Sequence, residues 1–200
     1  YVDETGTGRT GAGLQVTEGN ATYTTGATAL PWLGTVSTSS IKHVIAYNDI
    51  SAVNPAGWFE NYSNLEDFYA ADFKLDAATS LSHMFSGTPK LEEIVGIGYW
   101  DVDQVTDFSY MFNGCHVLPS SMIDEIGKWK ICTATNKTVT MEAMFQDCWA
   151  LANLEGLATK ADEETPTLTD WDVSHVTNFS RMFKSTTLNK AVNAGSQLAD

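Results

Sequence analysis

The side chains of this 200-residue chain with a capacity for chemistry are four histidines, three cysteines, one acidic run and one glycine-rich stretch. His43, His83, His116 and His175 could ligate zinc, but no two lie closer than 33 positions. A zinc site draws its ligands from short, regular spacings. Cys115, Cys132 and Cys148 could act as nucleophiles. No cysteine–histidine arrangement has a placed third member, and no Gly-x-Ser-x-Gly string occurs. Asp162-Glu163-Glu164 lacks the spaced oxygen ligands and turn glycine of a Ca²⁺ loop. The stretch GTGRTGAG at 6–13 lacks the Lys-Ser/Thr ending of a phosphate loop. Asn20, Asn61, Asn136 and Asn178 head glycosylation triplets, which matter only where the source glycosylates. The expectation is a protein that is not an enzyme, with no catalytic, cofactor-binding or metal-binding residues.

Composition narrows the partners. A net charge of −14 argues against nucleic acid or an anionic membrane surface, since both call for a basic patch. Hydrophobic content of 43% with 18% charged residues describes a globular chain long enough for one sizeable core. No apolar run approaches the roughly 20 residues of a membrane span, so no membrane insertion is expected. The chain starts without Met or a signal-like region, which reads as a processed form or a fragment.

The elements that would position these residues are repeats. Residues 99–115 read YWDVDQVTDFSYMFNGC, 171–183 read WDVSHVTNFSRMF, and 138–148 read TVTMEAMFQDC. Weaker copies end at Phe85 and Phe59. The repeat's phenylalanine falls at Phe59, Phe85, Phe112, Phe145 and Phe183, at intervals of 26, 27, 33 and 38 residues. An upstream aromatic falls at Tyr47, Phe73, Trp100, Trp129 and Trp171. Such a period with tolerated insertions marks a solenoid. Cys115 and Cys148 share a slot three residues after the phenylalanine with Tyr62, Thr88 and Thr186, so the slot reads as a packing position. Cys132 has no counterpart in the other repeats.

Three parts are expected in each repeat. An aromatic-x-apolar start is extended. A short helical turn follows, because Val105, Phe108, Met111 and Phe112 recur at spacings of 3, 3 and 1. Asp107 or Thr106, and Thr177 or Asn178, are placed to cap it. Parallel strands at 65–68, 91–95 and 151–154 start six residues after the phenylalanine. Residues 1–30 are rich in Gly and Thr and read as an arm or linker that permits a hairpin around Gly19-Asn20. Residues 31–200 read as one repeat domain of about five irregular repeats behind an N-terminal cap. An acidic loop at 155–169 interrupts the last repeat.

The strings WDVDQVTDFSYMFNGC and WDVSHVTNFSRMF resemble the repeat of the BspA-like leucine-rich-repeat surface proteins. That unit reads Trp-Asp-x-Ser-x-Val-Thr-x-Met-x-x-Met-Phe. Trp171, Asp172, Ser174, Val176, Thr177, Met182 and Phe183 match it, while Phe108 and Phe179 stand where Met is usual. The resemblance implies an α/β, right-handed leucine-rich-repeat-like solenoid, with short parallel strands on one side and short helical turns on the other. It also implies an exported, extracellular or cell-surface protein.

Two functions follow from different classes. One is a non-enzymatic surface recognition or adhesion module binding protein or cell-surface ligands. The other is a structural or decoration module of a virion, filament or larger surface assembly. For the first, the outward side chains of the strands are the expected partner-binding residues: Asp67 and Tyr69, Glu93 and Val95, Asn153 and Glu155. Stacked, they would form an acidic stripe suited to a basic partner.

Overall fold

The computed structural model describes residues 13–16, 22–24, 37–47, 50–71, 73–75, 77–131, 137–153 and 173–188. Cys132, Leu154, Glu155, the 155–169 loop and Trp171 lie outside them. Among the described residues the main sheet has five strands, in the order Thr22–Thr24 (β2), Gly13–Val16 (β1), His43–Tyr47 (β3), Asp67–Tyr69 (β5) and Glu93–Val95 (β7). The alternating segments Gly13–Val16 (β1) and Thr22–Thr24 (β2) pair antiparallel, Leu14 opposite Tyr23. β1 also pairs antiparallel with His43–Tyr47 (β3), Leu14 opposite Ala46. Part of the Gly/Thr-rich segment therefore belongs to the same sheet as the repeats.

From β3 the sheet is parallel. Asp67–Tyr69 (β5) joins β3, and Glu93–Val95 (β7) joins β5, with His43, Asp67 and Glu93 in one row. Both strands start two residues later than expected. Leu65 and Leu91 instead fill the core before the strand begins. Residues 151–153, expected as a strand, form none. Minor parallel pairs join Ile50–Ser51 (β4) to Phe73–Lys74 (β6), and Val139–Thr140 (β8) to Val176–Asn178 (β9).

In the repeat after β7 the strand is replaced by a helix, Ser120–Ile126 (α1). Pro119 precedes it, Gly127 ends it, and Met122, Ile123 and Ile126 bury one face at helical spacing. The Trp129 ring behind it donates its Nε1–H to the Ile97 carbonyl at 2.7 Å.

The core is columnar. Phe59, Phe85, Phe112, Phe145 and Phe183 stack face to face, with centroids 5.3, 5.6, 5.5 and 5.6 Å apart and ring planes within 18°. The first four are fully buried; Phe183 is partly buried. Met84, Met111, Met144 and Met182 line up beside them, buried. A second column runs Phe73–Trp100–Trp129 at 5.3 and 6.3 Å. Leu65, Leu91, Leu118 and Leu151, six residues after the phenylalanine in four repeats, are all fully buried. Burial on this scale is the main driving force for order in a chain with so little regular structure.

The segment around each phenylalanine is not helical, contrary to the expectation. It is a series of tight turns. The residue two before the phenylalanine has φ near +60° in every repeat: Gly57, His83, Tyr110, Ala143 and Arg181. So does the residue two after it: Asn61, Gly87, Gly114, Asp147 and Ser185. Met84 N–H donates to Leu81 O at 3.1 Å around His83, and Thr88 N–H to Phe85 O at 3.3 Å around Gly87. A positive φ at the third residue is what a type II turn requires. The alternate amides bond between repeats. His83, Phe85 and Gly87 N–H donate to Ser109, Met111 and Asn113 carbonyls at 3.0, 2.9 and 2.7 Å. Tyr110, Phe112 and Gly114 repeat the pattern onto Glu142, Met144 and Gln146. An α-helix closes its N–H bonds internally; these turns send every second one to the neighbouring repeat.

The residues expected as helix caps, Asp107 and Asn178, hold turns instead. Asp107 Oδ1 accepts from Ser109 N–H at 2.9 Å, and Asn178 Oδ1 from Ser180 N–H at 3.0 Å. Each holds a turn two residues on, as short polar side chains do.

Candidate interaction surface

The polar side chains fall on three surfaces. The buried slot after the phenylalanine holds Tyr62, Thr88, Cys115, Cys148 and Thr186. Thr88 Oγ1 donates to the Phe85 carbonyl at 2.6 Å and lies 3.1 Å from Cys115 Sγ. Cys148 Sγ donates to the Phe112 carbonyl at 3.1 Å. Burial pushes the Cys115 thiol up to about 12 and the Cys148 thiol well above its ordinary value. A thiolate is the reactive form, so these cysteines are packing groups. Among the described residues no group of three or more His, Cys, Asp or Glu side chains could hold a metal ion, and no helix is long and apolar enough to cross a membrane.

The second surface is the turn face. Glu142 accepts from Tyr110 Oη at 2.9 Å and from Asn178 Nδ2 at 3.2 Å, and pairs with Arg181. The Arg181 bond, then that from Tyr110, holds the Glu142 carboxyl below its usual range. The same Glu142 bond raises the Tyr110 hydroxyl. His83 stacks on Tyr110 at 4.9 Å. These contacts join four repeats, and His83, Tyr110 and Arg181 reach into them from positions of positive φ.

The third surface is the outer face of the sheet. Pleating turns Val44, Phe68 and Ile94 into the core and their neighbours outward. One outward row is His43, Asp67 and Glu93, the other Ile45, Tyr69 and Val95. Four of the expected contact residues, Asp67, Tyr69, Glu93 and Val95, are thus brought together. The row is not the continuous acidic stripe expected. His43 Nδ1 lies 2.5 Å from Asp67 Oδ2 and occupies that carboxylate, while Glu93 is exposed. Asn153 is exposed but outside the row, because α1 takes the strand's place between them; the Asn153 and Ala152 amides bond to Ser120 Oγ on α1. Glu155 lies outside the described residues. His43 and Ile45 were missed as members of the face, although the alternation in HVIAY signals a strand.

Between β7 and α1 lies a groove of about 750 Å³. Val95, Val117 and Met122 supply its apolar lining, and Glu92, Glu93 and Asp124 its rim. Glu125 is also at the rim but pairs with Lys128 at 2.6 Å.

These features define a class: a protein of stacked, turn-rich repeats that offers a small parallel sheet as its ordered outer face. The sequence profile of the family described as "Mycoplasma protein of unknown function, DUF285" matches residues 53–164 and 152–195, and the chain belongs to that family. No curated protein and no solved structure matches the chain.

Proposed function

We propose that the chain is a leucine-rich-repeat-like solenoid of the BspA-like surface-protein type, acting outside the cell as a non-enzymatic recognition module for protein or cell-surface ligands. The observation that carries the reading is the outer sheet face. Its side chains are fixed in two rows by parallel register and backed by a buried aromatic column. A preorganised face lowers the ordering cost of binding. The matched family covers the repeats from residue 53 onward, which agrees with the repeats being the functional unit. The alternative, a decoration module docked through its N-terminal segment, is less favoured because β1 and β2 lie in the chain's own sheet.

The test is adhesion of the full chain to immobilised extracellular-matrix proteins and whole cells. It compares wild type with Asp67→Lys/Tyr69→Ala, both outward positions. Loss of binding by at least about tenfold in the folded variant, with wild-type binding weakened by salt, supports the reading. Wild type that binds none of these, or a variant that binds equally well, sinks it.

A further inference from the structure

We propose that the outer edge of β7, with the groove between it and α1, binds an extended peptide of basic character by adding it to the sheet as a further strand. This rests on the reading of the chain as a recognition module and names the partner's chemistry.

The argument starts from backbone bonding. Glu93 N–H donates to Glu66 O at 3.4 Å, and Ala70 N–H to Val95 O at 2.8 Å. In a parallel ladder alternate residues turn both backbone groups to the same neighbour. Glu93 and Val95 therefore face β5. The N–H and C=O of Ile94 face the other way, toward α1. In β5 the equivalent residue is Phe68, which sits opposite Ile94 and hands its two groups to β7. The next repeat has no strand to receive those of Ile94, because α1 stands there. Among the described residues nothing pairs with them. Backbone groups at a strand edge are rarely left unpaired; the Ile94 side chain is packed in the core, while the residue lines the groove. An open strand edge is a template for one more strand.

The groove determines which strand. Its volume lies in the range of ligand sites. Val95, exposed Val117 and Met122 offer apolar contact to one set of alternating side chains. Glu92, Glu93 and Asp124 rim it, and no described cation bonds to their carboxylates; Lys128 is held by Glu125. The complementary segment alternates Lys or Arg with small apolar residues. An acidic or proline-rich segment is disfavoured, the first by charge and the second by its missing N–H.

The probe is a short blocked peptide of alternating Lys and Val, added to the full chain. Fluorescence anisotropy gives its affinity, and amide hydrogen exchange followed by NMR reads Ile94. Expected are slowing of exchange at Ile94 by at least about tenfold and salt-weakened binding. Binding at least about tenfold weaker is expected for a Glu-for-Lys peptide, for one N-methylated on alternate amides, and for Asp124→Lys and Val117→Arg protein, both surface changes. The proposal is overturned if the Lys–Val peptide does not bind at millimolar concentration, if it binds without slowing Ile94, or if N-methylation is without effect. Asp67→Lys/Tyr69→Ala lies outside the groove and separates the two readings. If that variant loses matrix adhesion while the peptide never protects Ile94, the groove assignment fails and the recognition reading stands. If the peptide protects Ile94 but the wild type adheres to nothing, the recognition reading fails and the groove assignment stands.

Discussion

Replacing Phe112 by Ala tests the architecture most directly. Phe112 is fully buried and stacked on two sides, against Phe85 at 5.6 Å and 1° and against Phe145 at 5.5 Å and 6°. Truncating a buried phenylalanine costs about 3–5 kcal/mol in lost transfer energy and cavity. An interior rung belongs in the upper half of that range, because it forfeits two ring contacts rather than one. Phe183 is only partly buried, so Phe183→Ala should cost less, about 2 kcal/mol. At about 2–4 °C per kcal/mol for a chain of this size, Phe112→Ala lowers Tm by roughly 8–20 °C. Phe112→Leu, which restores apolar area without the stacks, should fall between wild type and Ala. Calorimetry and urea titration followed by tryptophan fluorescence both read the effect. Stacked repeats hold together through neighbour contacts, so Phe112→Ala should also broaden the transition. Equal losses for Phe112→Ala and Phe183→Ala, or an unchanged melt for the former, would refute a continuous aromatic column.

Two further predictions concern backbone and thiols. Gly114 has φ +76°, but a Cβ there would approach nothing nearer than 3.7 Å, so Gly114→Ala should cost only the left-handed penalty of about 1–2 kcal/mol. At Gly96, φ +89°, a Cβ would lie 2.9 Å from Ala71 Cα, so Gly96→Ala should cost about 3 kcal/mol or more, and urea midpoints that rank the two in the opposite order would contradict this. The Cys115 thiol is raised from 9.0 to about 12 by burial, so the folded state keeps a proton that the unfolded chain releases. Its stability contribution is complete below about pH 9 and is lost as pH rises toward 12, at about 1.4 kcal/mol per unit and about 4 kcal/mol in all. Cys115→Thr, which places in the slot the residue found at Thr88 and Thr186, should flatten that alkaline slope; identical slopes for variant and wild type would show the thiol is not the cause.

The columns were legible in the sequence because a buried position restricts residue type. Phe, Met and Leu at fixed offsets from one another can only be a repeated core, and the structure places them so. The turns were not legible as turns. Spacings of 3, 3 and 1 in Val105, Phe108, Met111 and Phe112 satisfy a helical face equally well. The contrary signal lay two residues either side of the phenylalanine, where Gly57, Gly87, Gly114, Asn61 and Asp147 stand. It was masked by His83, Tyr110 and Arg181, of which the first two bond through their N–H to the next repeat and the third through its guanidinium to Glu142. Helix α1 carried a readable signature in Pro119, in Met122, Ile123 and Ile126, and in Gly127. Attention to the repeat's period passed over it, and with it the break that removes Asn153 from the face. The groove could not be read at all, because it exists only where a strand in one repeat meets a helix in the next.

The amides that bond from repeat to repeat also set how the chain would respond to load. Those bonds lie along the direction of stacking, in successive rows contributed by His83, Phe85 and Gly87, then by Tyr110, Phe112 and Gly114. Tension applied between the first and last of these rows pulls along them. It opens them one interface at a time instead of shearing all of them together. Each interface that yields releases about one period of polypeptide. For the 27 residues between Phe85 and Phe112 that is about 90 Å of extended chain. A protein holding a partner at a moving surface would then lengthen in discrete steps, dissipating force in its own unravelling before the bound face lets go.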